Sequence, residues 1–271
     1  MPTPNWIIDK AKFWYKLSAP CRPWSSEVAW FEKYVLEKKA EGKKDVLVLG
    51  STVEFRSMLH KNKMNVHVVD FSKEFYNILT ETQLDRLHHK GEETFYEQNW
   101  LAMDLDKKFD LILGDWVPGV LHTKDYGTFY KKIIAHLKDD GLFIGRECVR
   151  PNNKEIDLGK VLEKHLKAYE GRYNFFESSS QYFYGYHMTD ESMIIIEDSL
   201  EAIKGIKNEK IVDDEGYKQL LGIFTIEKNP WSVKLKSEFE DGANKYLKIL
   251  AEHHVPEPSS DWYPIYVMKK K

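Results

Sequence analysis

Gly50 and Asp70 are the pair whose types and spacing carry the most chemistry in this 271-residue chain. Gly50 closes the run Asp45-Val46-Leu47-Val48-Leu49-Gly50, and Asp70 closes Val66-His67-Val68-Val69-Asp70, twenty positions later. A short apolar, β-branched run that ends in glycine reads as a buried parallel strand and its turn. An acid about 20 residues on, at the end of the next strand, is placed to accept hydrogen bonds from ribose hydroxyls. Asp115-Trp116 follows Phe109-Asp110-Leu111-Ile112-Leu113-Gly114 and falls at another strand end, where doubly wound sheets bind ligands. His122 and His187 are imidazoles, the side chains most often used for base catalysis, and are candidates for that role. Tyr182, Tyr184 and Tyr186 recur at strand period, so one face of that stripe is core and a ring such as Tyr184 is free to meet a cation. The histidine pairs His88-His89 and His253-His254 fall on predicted helix ends, where adjacent side chains point apart and make no metal site.

The turn after the first strand says which adenosine compound fits. A dinucleotide site has glycine three times in G-x-G-x-x-G, so that backbone can approach a pyrophosphate at a helix N-terminus. Here those positions are Gly50, Thr52 and Phe55, and Glu54 adds a negative charge to the first helical turn. No G-x-x-x-x-G-K-[ST] occurs. The turn therefore suits an adenosine that carries no phosphate. S-adenosylmethionine, with its sulfonium and zwitterionic tail, meets that description; NAD and FAD do not.

These residues need elements to hold them. Strands are predicted at 45–49, 65–70, 94–98, 109–114 and 142–147, the last entered by a turn at Asp139-Asp140-Gly141. They alternate with helices near 53–62, 73–89 (capped by Ser72) and 125–138. Strands alternating with helices imply a parallel sheet covered on both faces. Before the sheet, Ser25 or Ser26 caps a helix over about 27–40 whose Val28, Phe31 and Val35 line one face. After it, 154–169 reads as helix, 190–252 as largely helical in about three pieces broken near 205–212 and at Asn229-Pro230, and 262–268 as a final strand. The expected organisation is an N-terminal helical cap over 1–43, a Rossmann-like core over 44–150, and remaining core elements over 151–271 that include a helical lid at about 190–252.

Composition narrows the function classes. Lys and Arg number 40 against 43 Asp and Glu, a formal charge of −3 that gives no electrostatic case for nucleic acid as the main partner. Aromatic residues make up 14%, with 8 Trp and 15 Tyr, enough to line a pocket as well as a core. Cys21 and Cys148 match no metal spacing and read as thiols in a reducing compartment. No run of about 18 apolar residues implies a membrane span, and the N-terminus lacks the pattern of a signal peptide. A cytoplasmic protein is expected.

In five segments the chain resembles the class I S-adenosylmethionine-dependent methyltransferases, over roughly residues 20–150. Val46-Leu47-Val48-Leu49-Gly50-Ser51-Thr52 looks like the first motif of that family, and Asp70 matches the acid that holds the ribose. Gln98-Asn99-Trp100 matches the segment beside the adenine, and Phe109 to Trp116 the fourth strand with its functional turn. Leu137 to Ile144 looks like the entry to the fifth strand. The Arg22-Pro23 loop followed by L-G-S-T-x-E resembles a bacterial subgroup with L-G-x-T-P-E at this turn. The resemblance implies an α/β fold, a doubly wound, mostly parallel sheet with an N-terminal helical cap and a C-terminal helical insertion. It implies S-adenosylmethionine held by Arg22, Gly50, Ser51, Thr52, Asp70, Phe71, Asn99, Trp100, Asp115 and Trp116.

Two positions depart from the family pattern. Val48 stands where an acid is common, and Thr52 replaces the second glycine, so the methionine ammonium needs another acceptor; the Gly50 carbonyl and Asp115 are the candidates. Arg22 is placed to pair with the methionine carboxylate. Methyl transfer needs mainly proximity and orientation, with a base only where the acceptor carries a proton. Asp115, His122, His187 and Tyr184 are the candidates for the catalytic side. No N-P-P-Y or D-P-P-Y occurs, and no Pro-Cys nucleophile suits cytosine C5 methylation, so a small-molecule acceptor in an aromatic, lidded pocket is the leading reading. Its rivals are an azetidine-2-carboxylate synthase type of enzyme, which acts on the aminobutyrate arm and releases methylthioadenosine, a non-catalytic S-adenosylmethionine-binding protein, and a nicotinamide oxidoreductase, which the single-glycine turn disfavours.

Overall fold

The computed structural model describes residues 19, 21–84, 89–151, 189, 191–210, 214, 217, 218, 221, 231–257 and 260–271. In β1 (Asp45–Leu49) every residue after Asp45 is buried, because neighbouring strands lie on both edges and helices on both faces. Successive side chains alternate between the faces. Val46 and Val48 enter a core with Phe31 and Val35 of α1 (Ser25–Ala40) and Phe55, Met58 and Leu59 of α2 (Val53–Lys61). Leu47 and Leu49 enter the opposite core, with Phe129, Tyr130 and Ile133 of α4 (Tyr126–His136) and Phe239 and Ala243 of α6 (Lys236–Asn244).

The other strands are β2 (Asn65–Asp70), β3 (Glu93–Glu97), β4 (Phe109–Asp115), β5 (Leu137–Arg146), β6 (Leu247–His253) and β7 (Ile265–Lys270). One seven-stranded sheet runs β3-β2-β1-β4-β5-β7-β6. The first five strands in that order pair parallel, and β7 is antiparallel to both β5 and β6. The sheet reverses its winding at β1 and β4, which leaves a crevice at their carboxyl ends. A third, smaller core joins Ile203 and Ile206 of α5 (Ile196–Asn208) to Trp231, Trp262, Tyr263 and Cys148, and brings the C-terminal half of the chain against Trp116.

Several boundaries differ from the sequence expectation. Ser25 and Ser26 lie inside α1. Its N-cap is Trp24, whose backbone N–H donates to the Glu27 carboxylate at 2.7 Å. The helix expected over 73–89 is α3 (Lys73–Leu79), capped by Ser72 as expected and continued by a π-helical turn over Thr80–Leu84. The Thr80 and Thr82 hydroxyls donate back to the carbonyls of Tyr76 and Ile78, each at 2.7 Å, and such back-bonding disturbs a helical ladder. Asp139-Asp140-Gly141 makes no separate turn: it lies within β5, at an irregularity where Phe109 faces Leu137 but Leu111 faces Leu142. Gly141 suits that place because a Cβ would stand 2.9 Å from the Phe109 carbonyl oxygen.

The largest correction is at the far edge of the sheet. Helix was expected to extend to 252, with breaks near 205–212 and at Asn229-Pro230. α5 ends at Asn208, inside the first of these breaks, but α6 ends at Asn244 and, two residues later, Leu247–His253 form β6. His253 therefore belongs to a strand, where it stacks on Trp30 at 3.8 Å and lies 2.7 Å from the Tyr34 hydroxyl. Tyr182, Tyr184, Tyr186, His187 and the helix expected at 154–169 lie outside the described residues. Among the described residues no helix is long and apolar enough to cross a membrane.

Candidate functional site

The site is built where β1, β2, β4 and β5 end. Gly50 turns the chain out of β1 with φ +82°, a conformation open to glycine at little cost. A Cβ there would also stand 3.4 Å from the Trp100 ring. That ring is held by its indole N–H, which donates to the Val69 carbonyl at 2.9 Å, while the Gly50 N–H reaches the same carbonyl at 2.9 Å. Gly50 and Trp100 thus form one wall, and Trp100 is half-buried. Asn99 is exposed, and its side-chain oxygen accepts the Leu101 N–H at 2.9 Å, closing its own turn.

Asp70 is buried at the end of β2, with three groups aiming its carboxylate. Ser51 Oγ donates to Oδ2 at 2.8 Å, the Ser72 N–H donates to Oδ1 at 3.2 Å, and the Phe71 N–H also bonds it. Burial nevertheless outweighs these bonds and pushes the Asp70 carboxyl up to about 6. Phe71, the next residue, leaves half its surface exposed. Thr52 is buried beside Ser51 and begins α2 as its N-cap, with no bond from its own side chain.

Acids gather at the ends of β4 and β5. Asp115 accepts from Arg146 Nε at 2.6 Å, and Arg146 reaches Glu27 of α1 at 3.2 Å through Nη1. The guanidinium also lies over the Tyr263 ring, 4.7 Å from its centre. Arg22 donates to Glu54 Oε1 at 2.5 Å. Glu147 follows Arg146 and is buried on the opposite side of the strand. Four carboxyls and two guanidinium groups therefore share this corner, with Asp115 acting electrostatically on Glu27, Glu54 and Glu147. Three buried carboxyl oxygens, Glu27 Oε1, Glu54 Oε2 and Glu147 Oε1, have no hydrogen-bond partner among the described residues. Burial first, and the Asp115 charge after it, hold all three groups above the usual carboxylate range, the arginines opposing. A surplus of buried acceptors with no donor to meet them is what a cationic or donor-rich ligand completes.

The structure brings Gly50, Ser51, Thr52, Asp70, Phe71, Asn99 and Trp100 together at the β1–β2 end, and Arg22, Asp115 and Trp116 at the β4 end. Asp115 and Arg22, expected on the ligand's tail, are each tied to a protein partner. Trp116 takes φ +51° and packs 5.7 Å from Trp231. His122 is half-exposed after β4, its Nδ1 accepting weakly from the Lys124 N–H at 3.4 Å and its Nε2 4.0 Å from Glu191. Arg146 and Glu147 were missed by sequence reasoning, although the signal was present: two charges inside the apolar run Leu142 to Val149 must be buried together or not at all. Glu27, in the first turn of α1, was missed as well. Among the described residues no group of three or more His, Cys, Asp or Glu is placed to hold a metal ion.

No family model matches the sequence, and no curated protein matches it. Solved structures do share the fold. A Rhodobacter sphaeroides protein whose name places it among Zn-dependent alcohol dehydrogenases aligns over 100% of both chains with TM-score 0.61 and 14% identity. An S-adenosylmethionine-dependent methyltransferase from Clostridium acetobutylicum aligns over 97% of this chain and 96% of its own, with TM-score 0.53 and 14% identity. The 1,6-didemethyltoxoflavin-N1-methyltransferase of Burkholderia thailandensis, solved with its substrate and S-adenosylhomocysteine, aligns over 98% and 84%, with TM-score 0.51 and 12% identity. The two methyltransferase likenesses and the strand order match the Rossmann-like fold of class I methyltransferases, the fold class expected from the sequence.

Proposed function

We propose that the protein is an S-adenosylmethionine-dependent methyltransferase acting on a small molecule. The observation that carries this reading is the pairing of a ribose-type acid, Asp70, with a corner of buried, unsatisfied carboxyls. Such a corner repels a pyrophosphate and suits a ligand that brings positive charge. Asp70 accepts the ribose hydroxyls, Phe71 and the Gly50–Trp100 wall flank the adenine, and Ser51 and Thr52 shape the turn. The Arg22–Glu54 pair offers a cation and an anion to a zwitterionic tail, with Arg22 taking the carboxylate and Glu54, together with Asp115, the ammonium. This replaces the strand acid absent at Val48. The Glu54 role also gives physical content to the likeness to the L-G-x-T-P-E subgroup, whose glutamate is the one acidic residue of that turn.

Bound there, S-adenosylmethionine supplies a methyl group already activated by its sulfonium. The chain orients the reactants and excludes water. The core of α5, Trp231 and Trp262 beside Trp116 serves as part of the cover over the acceptor, in line with the lid expected from the sequence but with β6 returned to the sheet. A small-molecule acceptor is in keeping with the methyltransferase neighbours of this fold.

Titration calorimetry with S-adenosylmethionine and with NAD tests the cofactor. Saturable binding of the first and none of the second is expected; NAD in preference would overturn the reading. Mass spectrometry after incubation with S-adenosylmethionine alone then separates the chemistry. Unchanged ligand is expected, whereas enzyme-dependent methylthioadenosine would transfer the protein to the enzymes that act on the aminobutyrate arm.

A further inference from the structure

The segment between β3 and β4, residues 98–108, carries Trp100 toward one end and is tied down at the other. Two bonds close its first part into a ring: Gln98 Oε1 accepts the Asp104 N–H at 2.8 Å, and Gln98 Nε2 donates to the Asp104 carbonyl at 3.3 Å. On the site side the Gln98 N–H donates to the Asp70 carbonyl at 3.0 Å, and the Trp100 indole to that of Val69 at 2.9 Å. On the far side Leu105 and Lys107 fasten the segment, each to a buried histidine.

His136, the last residue of α4, accepts the Leu105 N–H at Nε2, 2.9 Å away, while its Nδ1 lies 2.8 Å from the Lys132 carbonyl. A carbonyl only accepts, so Nδ1 carries the proton and Nε2 is bare. His67 of β2 stands in the same state. Its Nε2 lies 3.2 Å from the Lys107 ammonium, which only donates, and its Nδ1 lies 3.3 Å from the Tyr96 hydroxyl. Both rings are therefore neutral, and a second proton on either sets a donor against a donor. The charges facing His67 are Lys107, from the segment, and Asp45 of β1, which also binds Lys107 at 2.8 Å; Tyr96 of β3 is the other titratable group. Burial, and after it the Lys107 charge, hold His67 below the usual imidazole range, Asp45 opposing. Among the described residues His136 bonds only the two backbone groups and makes no ion pair.

Resting on the reading of Trp100 as part of the adenine wall, we propose that His136 and His67 are positioning residues for that wall and make it acid-sensitive. With both rings neutral the segment 98–108 is held at both ends. A proton on His136 removes the acceptor of the Leu105 N–H, and a proton on His67 sets a positive ring against Lys107. Either event frees the far end, and the Gln98–Asp104 closure passes the movement to Trp100. The change is confined to this segment, because neither imidazole contributes to the backbone ladder of the sheet. The adenine side of the site is thus firm at neutral pH and loose in acid.

Amide hydrogen exchange of the ligand-free protein tests this, read by mass spectrometry and divided by the intrinsic rate at each pH. From about pH 7.5 to about pH 5.5, the range in which histidine gains its charge, protection over 98–108 is expected to fall about tenfold, as for the loss of a buried hydrogen bond, while β1 keeps its own. In His67→Gln combined with His136→Gln, the amide oxygens can accept from Lys107 and Leu105 without titrating, and protection is expected to stay level. Asp70 titrates in the same range but is present in both proteins, so only a loss that vanishes with the histidines counts. Level protection in the wild-type protein overturns the proposal, and so does a fall that survives in the double variant. Where that variant fails to fold, nitrogen NMR of the wild-type imidazoles at about pH 7.5 decides: a bare Nε2 is expected on both rings, and a proton on Nε2 of either overturns the proposal. None of these measurements uses a ligand. Absence of S-adenosylmethionine binding would bring down the cofactor reading and leave the two histidine ties standing.

Discussion

On the proposed reading, the buried carboxyl of Asp70 meets the ribose diol. Ser51 and two backbone N–H groups aim it, and burial sets its protonation near 6. Ribose hydroxyls donate to the ionised form, so adenosine affinity should be full above pH 7 and fall as pH drops through about 6. The check is the dissociation constant measured between pH 5 and pH 8. Asp70→Asn keeps the shape but loses the charge, and should weaken binding by about 10- to 100-fold, as expected for charge-assisted bonds of about 1.5–3 kcal/mol; equal affinity would remove Asp70 from the ligand. Gly50 makes a second prediction at this scale. Ala at a φ of +82° adds backbone strain, and its methyl meets Trp100. Gly50→Ala should cost about 1–2 kcal/mol of stability, read by urea denaturation, and loosen the adenine wall along with it.

At the scale of elements, α2, α3 and β3 are pinned by one buried charge cluster. Arg56 is fully buried; its Nε lies 3.0 Å from both Glu93 oxygens, and its Nη2 donates to Thr80 at 2.6 Å. His60 and Tyr76 reach the same carboxylate at 2.7 and 2.8 Å. Burial opposes ionisation of Glu93, yet the bonds from His60 and Arg56 prevail and hold it at about 2. Removing one side of such a cluster strands the other, so Arg56→Ala should destabilise by about 3–5 kcal/mol, and a much smaller change would show that water replaces the guanidinium. This cluster explains what the sequence could and could not disclose. β1, β2 and β4 were legible because an apolar run between charged residues has one physical reading. Glu93 begins β3 because Arg56 waits for it from 37 positions away, and no local pattern carries that. β6 was illegible for a similar reason: Leu247 to His253 begins two residues after a helix and has mixed polarity, and only pairing with β7 makes it a strand. In the candidate site the strand-end residues come together as their positions implied, whereas Glu27, Glu54, Arg146 and Glu147 gather from three distant segments around Asp115 of a fourth.

Across the whole molecule the buried acids govern the response to pH. Asp70, Glu27, Glu54 and Glu147 are all raised by burial. An acid raised in the folded state keeps its proton there after the unfolded chain has lost it. Stability is then highest at low pH and falls as pH climbs from about 4 through the folded values, by about 1.4 kcal/mol per pH unit for each such group. Glu93 works in the other direction but only below about 4.5, where its contribution is lost as pH falls toward 2. The ligand-free protein should therefore melt highest near pH 5 and lower at pH 8, and S-adenosylmethionine should raise the melting temperature most at the alkaline end. A melting temperature that climbs steadily to pH 8 without ligand would contradict the burial of unpaired carboxyls.

The position of β7 has a consequence for how the molecule comes into being. β6 leaves the ribosome before the strand that joins it to the sheet, and β5 keeps an open edge until that later strand slots between them. Through that interval the acid-rich corner lacks Tyr263 against Arg146 and the Pro264 carbonyl that accepts the Glu147 N–H at 3.0 Å. The candidate site is thus finished by a late segment of the chain, so on the proposed reading a nascent protein binds its ligand only after the sheet has closed.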